Sequence, residues 1–244
     1  MYRHEKRHLK TGSGAATPER VAHPSWEAVV DNYVYIHNAF RNSLQRIISN
    51  CENQKSNNDG TDDSTDLENW RDIIDLHSRV EDELIVVAVQ ARLKKNGSEK
   101  TLPESLLSGK DHESVKDLLG KALNCNDNTE RVEILNKLAS ELDRHLAAEE
   151  ETMIPLLLDN FTLRELWALD SFIINPKLGY CDKETLIKIM KWWFGNLSVK
   201  EAWPLLKNFI KAGKQPPMPL EGWKKLQDDI PALQKFPTED LVPP

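Results

Sequence analysis

Two pairs, His77 with Glu81 and His145 with Glu149, constrain this chain more than any other feature. Each pair is spaced i, i+4, which on an α-helix puts both side chains on one face, a turn apart. A single histidine precedes each pair: His37 before the first, His112 before the second. The intervals between successive histidines are similar, and each is long enough for one helix and a connection. The pattern predicts four helices, each offering an imidazole to a common centre, as in a metal site inside a helical bundle.

The apolar periodicity supports this. A first helix is expected from Ser25, a good N-cap, to near Asn50. Trp26, Val29, Tyr33, Ile36, Phe40, Leu44, Ile47 and Cys51 form its stripe, and His37 points inward with them. A second runs from Asp66 to Leu93, with Trp70, Ile73, His77, Leu84, Val87 and Ala91 on one face and Glu81 at its centre. The third, from Lys110 or Asp111 to Leu123, aligns His112, Val115, Leu119 and Ala122. The fourth starts at or just before Thr129 and lines up Val132, Leu135, Leu138, Leu142, His145, Glu149, Thr152 and Leu156. Pro155 is expected to kink or break it beyond the ligand pair.

Residues 53–65 are polar and read as a mobile loop. Beyond residue 160 the pattern remains helical: Thr162 to Ile174, Lys183 to Phe194 and Ser198 to Ala212. The first and last open on capping boxes, Thr162 with Glu165 and Ser198 with Glu201. From Gly213 the chain is proline-rich, with one short helical stretch near Glu221 to Gln227. There is no β pattern of any length. The expected fold is all-α: a flexible tail over 1–24, an up-down four-helix bundle over 25–160, a helical extension over 161–212 and a proline-rich segment over 213–244.

A net charge of -7 gives no ground for nucleic acid or an anionic membrane as partner. No apolar run approaches the length of a membrane span. The basic start lacks a following apolar stretch, so it reads as a tail rather than a targeting peptide. Cys51, Cys125 and Cys181 lie far apart, with no CxxC pair, which argues against a disulfide framework or a cysteine zinc site. The chain reads as intracellular, cytoplasmic or nuclear, with reduced thiols. His4, His8 and His23 read as solvated tail residues, and Asp62, Asp63 and Asp66 as a solvated loop and helix start. Trp192 and Trp193 are expected to pack the extension on the bundle, one ring in the core and one at the rim.

Taken singly, an apolar-face histidine is ordinarily a core residue with a hydrogen bond, and an i, i+4 His–Glu pair is ordinarily a surface pair. Six such residues on converging stripes are another matter. An isolated buried ion costs several kcal/mol even after relaxation. Two adjacent carboxylates repel, so one must stay protonated unless a cation joins them. Lys116 is the one Lys or Arg expected in these stripes. Four imidazoles with two carboxylates are too many donors for one structural zinc. They suit one octahedral ion or two ions bridged by the carboxylates, with iron, manganese or zinc as the metal.

At these positions the chain resembles the hemerythrin-like (HHE cation-binding) family. His145-Leu-Ala-Ala-Glu149-Glu-Glu-Thr-Met-Ile-Pro155-Leu-Leu is similar to the family's HxxxEExxIFPLL ending, and His77-Ser-Arg-Val-Glu81-Asp-Glu-Leu-Ile to its first half-motif. The stretch from Phe161 to about Ala212, with Trp192-Trp193, resembles the extension after the hemerythrin domains of iron-regulating ubiquitin ligases of the plant BRUTUS type. The RING and cysteine-rich modules of those ligases are absent from this sequence. The resemblance implies two iron ions, oxo- or hydroxo-bridged, held by His37, His77, Glu81, His112, His145 and Glu149, with dioxygen as a ligand. Glu81 and Glu149 would bridge. Glu150 stands as an alternative to Glu149, because the oxygen-carrier subfamily uses a spacing one residue longer. Those carriers also have a histidine four residues after the third one, where this chain has Lys116. That departure points toward the sensing members, and Glu113 reads as solvated.

The implied function is iron and dioxygen binding in iron or oxygen sensing or iron homeostasis, with a protein partner possible through the extension. Two alternatives stand beside it. One is a di-iron oxidoreductase acting on peroxide or nitric oxide, with Lys116 or Tyr33 as proton donor. The other is a metal-stabilised interaction module.

Overall fold

The computed structural model describes residues 18–26, 28, 31–57, 63–174 and 182–202, with residues 205 and 228. Within these residues the chain is all-α and contains no strand. The elements are α1 (Pro18–Val21), a π-helical turn (Asp31–Tyr35), α2 (Ile36–Asn57), α3 (Asp63–Val80), a second π-helical turn (Glu81–Ile85), α4 (Val86–Lys95), α5 (Glu104–Leu107), α6 (Lys110–Asn124), α7 (Asn128–Asn160), α8 (Leu163–Ile174) and α9 (Lys183–Gly195). α2 packs against α3 and α7, and α6 packs against the same two helices from the other side. α4 continues along α7. No helix among the described residues is long and apolar enough to cross a membrane.

The helix starts are written in the sequence. Asp127 caps α7 by accepting from the Thr129 and Glu130 backbone amides at 2.8 and 2.9 Å. Asp182 accepts from the Thr185 amide at 2.7 Å and starts α9. The Thr162 box forms as expected: its amide donates to Glu165 at 2.8 Å, and the Glu165 amide donates back to the Thr162 hydroxyl at 3.3 Å. The Ser198 amide likewise donates to Glu201 at 2.9 Å. Gly109 precedes α6 at φ 65°, a left-handed conformation that a side chain would strain. That turn sets the phase of α6 and so the direction of His112.

The core runs through the facing stripes of α2, α3, α6 and α7. Phe40, Leu44, Trp70, Leu84, Leu119, Leu135 and Leu138 are among its fully buried side chains. Each such aliphatic or aromatic group contributes about 1.5–3 kcal/mol relative to exposure. The extension is tied to α2: the Trp192 ring lies 4.9 Å from Phe40, with Trp193 buried and Trp192 at the rim. Asn42 donates to the Asn196 carbonyl and Asn38 to Glu201, both at 2.9 Å. Arg92 of α4 donates to Glu165 at 2.9 Å, which fixes the start of α8.

Several expectations change. α2 continues to Asn57 rather than ending near Asn50, so 53–57 are helix and not loop; residues 58–62 lie outside the described set. A π turn at Asp31–Tyr35 interrupts the first part of the expected helix, and Trp26 and Ala28 before that turn are helical, as a start near Ser25 requires. α7 is not broken at Pro155 and continues to Asn160. The one carbonyl the proline strands belongs to Glu151, an exposed residue, where water can satisfy it. After Glu81 the buried face is Leu84, Ile85, Ala88, Val89 and Leu93, whereas Val87 and Ala91 are only half-buried. The cause is the π turn, whose extra residue rotates everything after it by about a quarter turn. α1 occupies part of the stretch read as a tail, and His23 is half-buried, accepting from the Ser25 amide at 3.1 Å. The expected proline-rich segment and most of the last extension helix fall outside the described residues.

Candidate metal centre

The six residues singled out by spacing come together. α2 delivers His37, α3 delivers His77, and the π turn that follows begins on Glu81. α6 delivers His112, and α7 delivers His145 and Glu149. All but His77 are buried, and His77 is nearly so at 13% side-chain exposure. They form two overlapping groups of four, His37–His77–Glu81–Glu149 and Glu81–His112–His145–Glu149. Within each group one donor atom per residue lies within 4.8 Å of all the others.

Glu81 and Glu149 belong to both groups, and each carboxylate divides its oxygens between them. Glu81 Oε1 is 3.3 Å from His77 Nε2, and its Oε2 is 3.4 Å from His112 Nε2. Glu149 Oε2 is 3.5 Å from His37 Nε2, and its Oε1 is 3.2 Å from His145 Nε2. Donors bound about 2.0–2.2 Å from one ion sit roughly 3.0–3.5 Å from each other, so these separations suit the edges of a coordination polyhedron. The His37 and His77 rings stand edge to face at 5.4 Å, and the His112 and His145 rings at 4.5 Å.

Two further acids fix the single histidines. Glu150 accepts from His37 Nδ1 at 3.0 Å, and Asp82 accepts from His112 Nδ1 at 3.1 Å. A proton held on Nδ1 leaves the Nε2 lone pair facing the cluster, the orientation metal-bound histidines use. In each acidic run, Glu81-Asp82-Glu83 and Glu149-Glu150-Glu151, the first two residues divide the work. The first carboxylate (Glu81, Glu149) enters the cluster, and the second (Asp82, Glu150) reaches across to a histidine on another helix. Asp111 Oδ2 lies 3.6 Å from His145 Nδ1, beyond direct hydrogen-bond length.

Glu150 is itself neutralised. Arg41 Nη1 donates to it at 2.7 Å and Arg41 Nε donates to Asp143 at 2.6 Å, with the Arg41 side chain only 8% exposed. His37 and Arg41 hold the Glu150 carboxyl below its ordinary range in spite of its burial. Glu149 therefore faces the cluster, and Glu150 stands behind it. Arg41 also replaces Lys116 as the buried cation of these stripes. The Lys116 side chain is 46% exposed and pairs with Asp75 at 3.4 Å, at the solvent edge of the face that carries His112. Arg41 had a legible signal, since it lies four residues after His37 on the same helix face. Glu113 is exposed as expected. Cys51 and Cys125 are buried and form no disulfide among the described residues; Cys181 lies outside them.

The cluster is unsatisfied by protein groups alone. The Nε2 atoms of His37, His77, His112 and His145, both Glu81 oxygens and Glu149 Oε2 are buried with no hydrogen-bond partner. Burial pushes the Glu81 and Glu149 carboxyls well above their ordinary range, and the charge on Glu81 raises Glu149 further. Burial also lowers His37, lowers His77 well below its usual value and brings His145 to about 3. Every charged form is penalised here except where a cation sits among the donors. An unpaired buried polar group costs about 1–3 kcal/mol, so this many orphans together call for a ligand. The donor set can hold metal ions. No family model, curated protein or solved structure matches the chain.

Proposed function

We propose that this chain is a hemerythrin-like protein. In this reading α2, α3 with α4, α6 and α7 form an up-down four-helix bundle holding two iron ions, and the protein binds dioxygen in iron or oxygen sensing or iron homeostasis. One observation carries the reading: four partnerless Nε2 atoms converge on two carboxylates, each of which offers one oxygen to either histidine pair. Nitrogen and carboxylate donors without thiolate suit iron in either common oxidation state. His37 and His77 would hold one ion, His112 and His145 the other, with Glu81 and Glu149 shared. When bound, the metal pair supplies the electrons and the open coordination position that dioxygen requires.

The chain's own residues supply the rest. Glu150 and Asp82 fix the tautomers of His37 and His112. The apolar walls of α2 and α7 exclude water. The hydrogen bonds from Asn38 and Asn42 to the extension offer a route by which a protein partner would read the site. A cytoplasmic or nuclear setting suits this role.

Ferrous loading without air, followed by an absorption spectrum before and after oxygen, tests the proposal. A near-ultraviolet band that appears with oxygen and reverses on its removal is the expected result. Steady turnover of added peroxide would favour the oxidoreductase reading instead. Purified protein that retains only zinc and shows no optical response would favour a metal-stabilised interaction module.

A further inference from the structure

Tyr33 is a second kind of orphan at this site. It sits on the π-helical turn Asp31–Tyr35, immediately before α2, with its ring edge to face against His37 at 5.6 Å. The residue is 4% exposed, and its hydroxyl is buried without a hydrogen-bond partner. A buried tyrosine hydroxyl ordinarily finds one. Phenylalanine would fill the same apolar space with no orphaned oxygen, so packing does not account for the hydroxyl.

We infer that Tyr33 is a positioning residue whose hydroxyl donates a hydrogen bond to a small anionic ligand seated in the His/Glu cluster. This rests on the metal-binding reading above. The anion would take one donor from this chain and be walled elsewhere by carboxylates and imidazole edges, so compact monovalent anions fit the site best. π turns recur at functional sites because the extra residue re-aims a side chain. Here the turn carries Tyr33 one helical turn ahead of His37.

Azide is the probe. Iron-loaded wild type and Tyr33→Phe are oxidised and titrated with azide, and the ligand-to-metal absorption band gives the affinity. Loss of one hydrogen bond to a charged acceptor should weaken azide about tenfold. Iron content and thermal midpoint should stay unchanged, and the band should shift in position. Equal azide affinity and an identical band in Tyr33→Phe would overturn the inference while leaving the metal site intact. A phenolate-to-iron band in wild type that vanishes in Tyr33→Phe would also overturn it, because the oxygen would then bind metal directly. Failure of wild type to hold iron at all would instead sink the underlying metal reading. Tyr33→Trp serves as a second variant that fills the space without an equivalent hydroxyl, and it should match Phe rather than Tyr in azide affinity.

Discussion

Replacing Arg41 with methionine should be among the most damaging single changes near the site, although Arg41 touches no proposed metal ligand. The Glu150 carboxylate is 2% exposed, and its partners are Arg41 at 2.7 Å and His37 Nδ1 at 3.0 Å. Removing one partner of a buried ion pair costs about 3–5 kcal/mol, because the remaining charge is left uncompensated. For a chain of this size each kcal/mol moves the midpoint by about 2–4 °C, so Arg41→Met should lower it by roughly 6–20 °C. The sign with pH follows from the depressed Glu150 carboxyl. A carboxyl held below its unfolded value contributes stability above about pH 4.3, and that stability is lost as pH falls through the folded value. In Arg41→Met the Glu150 carboxyl should rise, so the deficit against wild type should narrow as pH falls through that raised value toward the depressed wild-type one. Arg41→Met with Glu150→Gln should recover most of the loss, since glutamine can still accept from His37 without a charge. Urea denaturation of the metal-free proteins, followed by circular dichroism, makes the comparison. A loss under about 1 kcal/mol, or a double variant no better than the single, would refute the reasoning.

Three further outcomes are expected. Asp82→Asn weakens the hold on the His112 tautomer, and metal affinity measured against a competing chelator should fall about 10–100-fold; the fold should be unaffected, because the Asp82 side chain is 40% exposed. In the metal-free protein the Glu81 and Glu149 carboxyls should cost stability as pH rises above about 4.3 toward their raised folded values. The raised Glu81 and Glu149 carboxyls keep protons that the unfolded chain releases near pH 4.3, at a cost of at most about 1.4 kcal/mol per pH unit each. The lowered histidines act in the opposite sense below about pH 6.5, where the unfolded chain takes up protons and stability falls with acid. Replacing both glutamates with glutamine separates the two effects, and an unchanged pH profile in that variant would contradict the burial of the two carboxyls. Thr162→Ala should cost about 1 kcal/mol in denaturant through loss of the reciprocal cap on α8.

Much of the site was legible because it obeys helical arithmetic. His37 falls on the stripe of Tyr33 and Phe40, and each His–Glu pair is one turn long, so convergence followed once the four stripes faced each other. The groups that hold the histidines from behind were not legible in the same way. Arg41 shares the face of His37 by spacing, but only the cross-helix contact between α2 and α7 reveals that it neutralises Glu150. Asp82 and Glu150 were visible as the middle residues of two acidic triplets, yet nothing local says which histidine each would reach. The π turns were invisible, since they arise from how the chain is accommodated around buried Glu81 and Tyr33 rather than from any residue preference. Their effect was the misplaced face over Val87 and Ala91. Lys116 lies four residues after His112, a plausible inward spacing, but it stands at the solvent edge of that face beside Asp75.

The central claim is that four imidazoles and two carboxylates form one binding site for a pair of metal ions. Anaerobic equilibrium titration with ferrous iron, counted per chain after removal of excess metal, tests it most directly. Wild type should take up about two ions per chain, and His77→Ala with Glu81→Ala should hold neither, because Glu81 serves both donor groups. Full occupancy in that double variant, or none in wild type, would contradict the account.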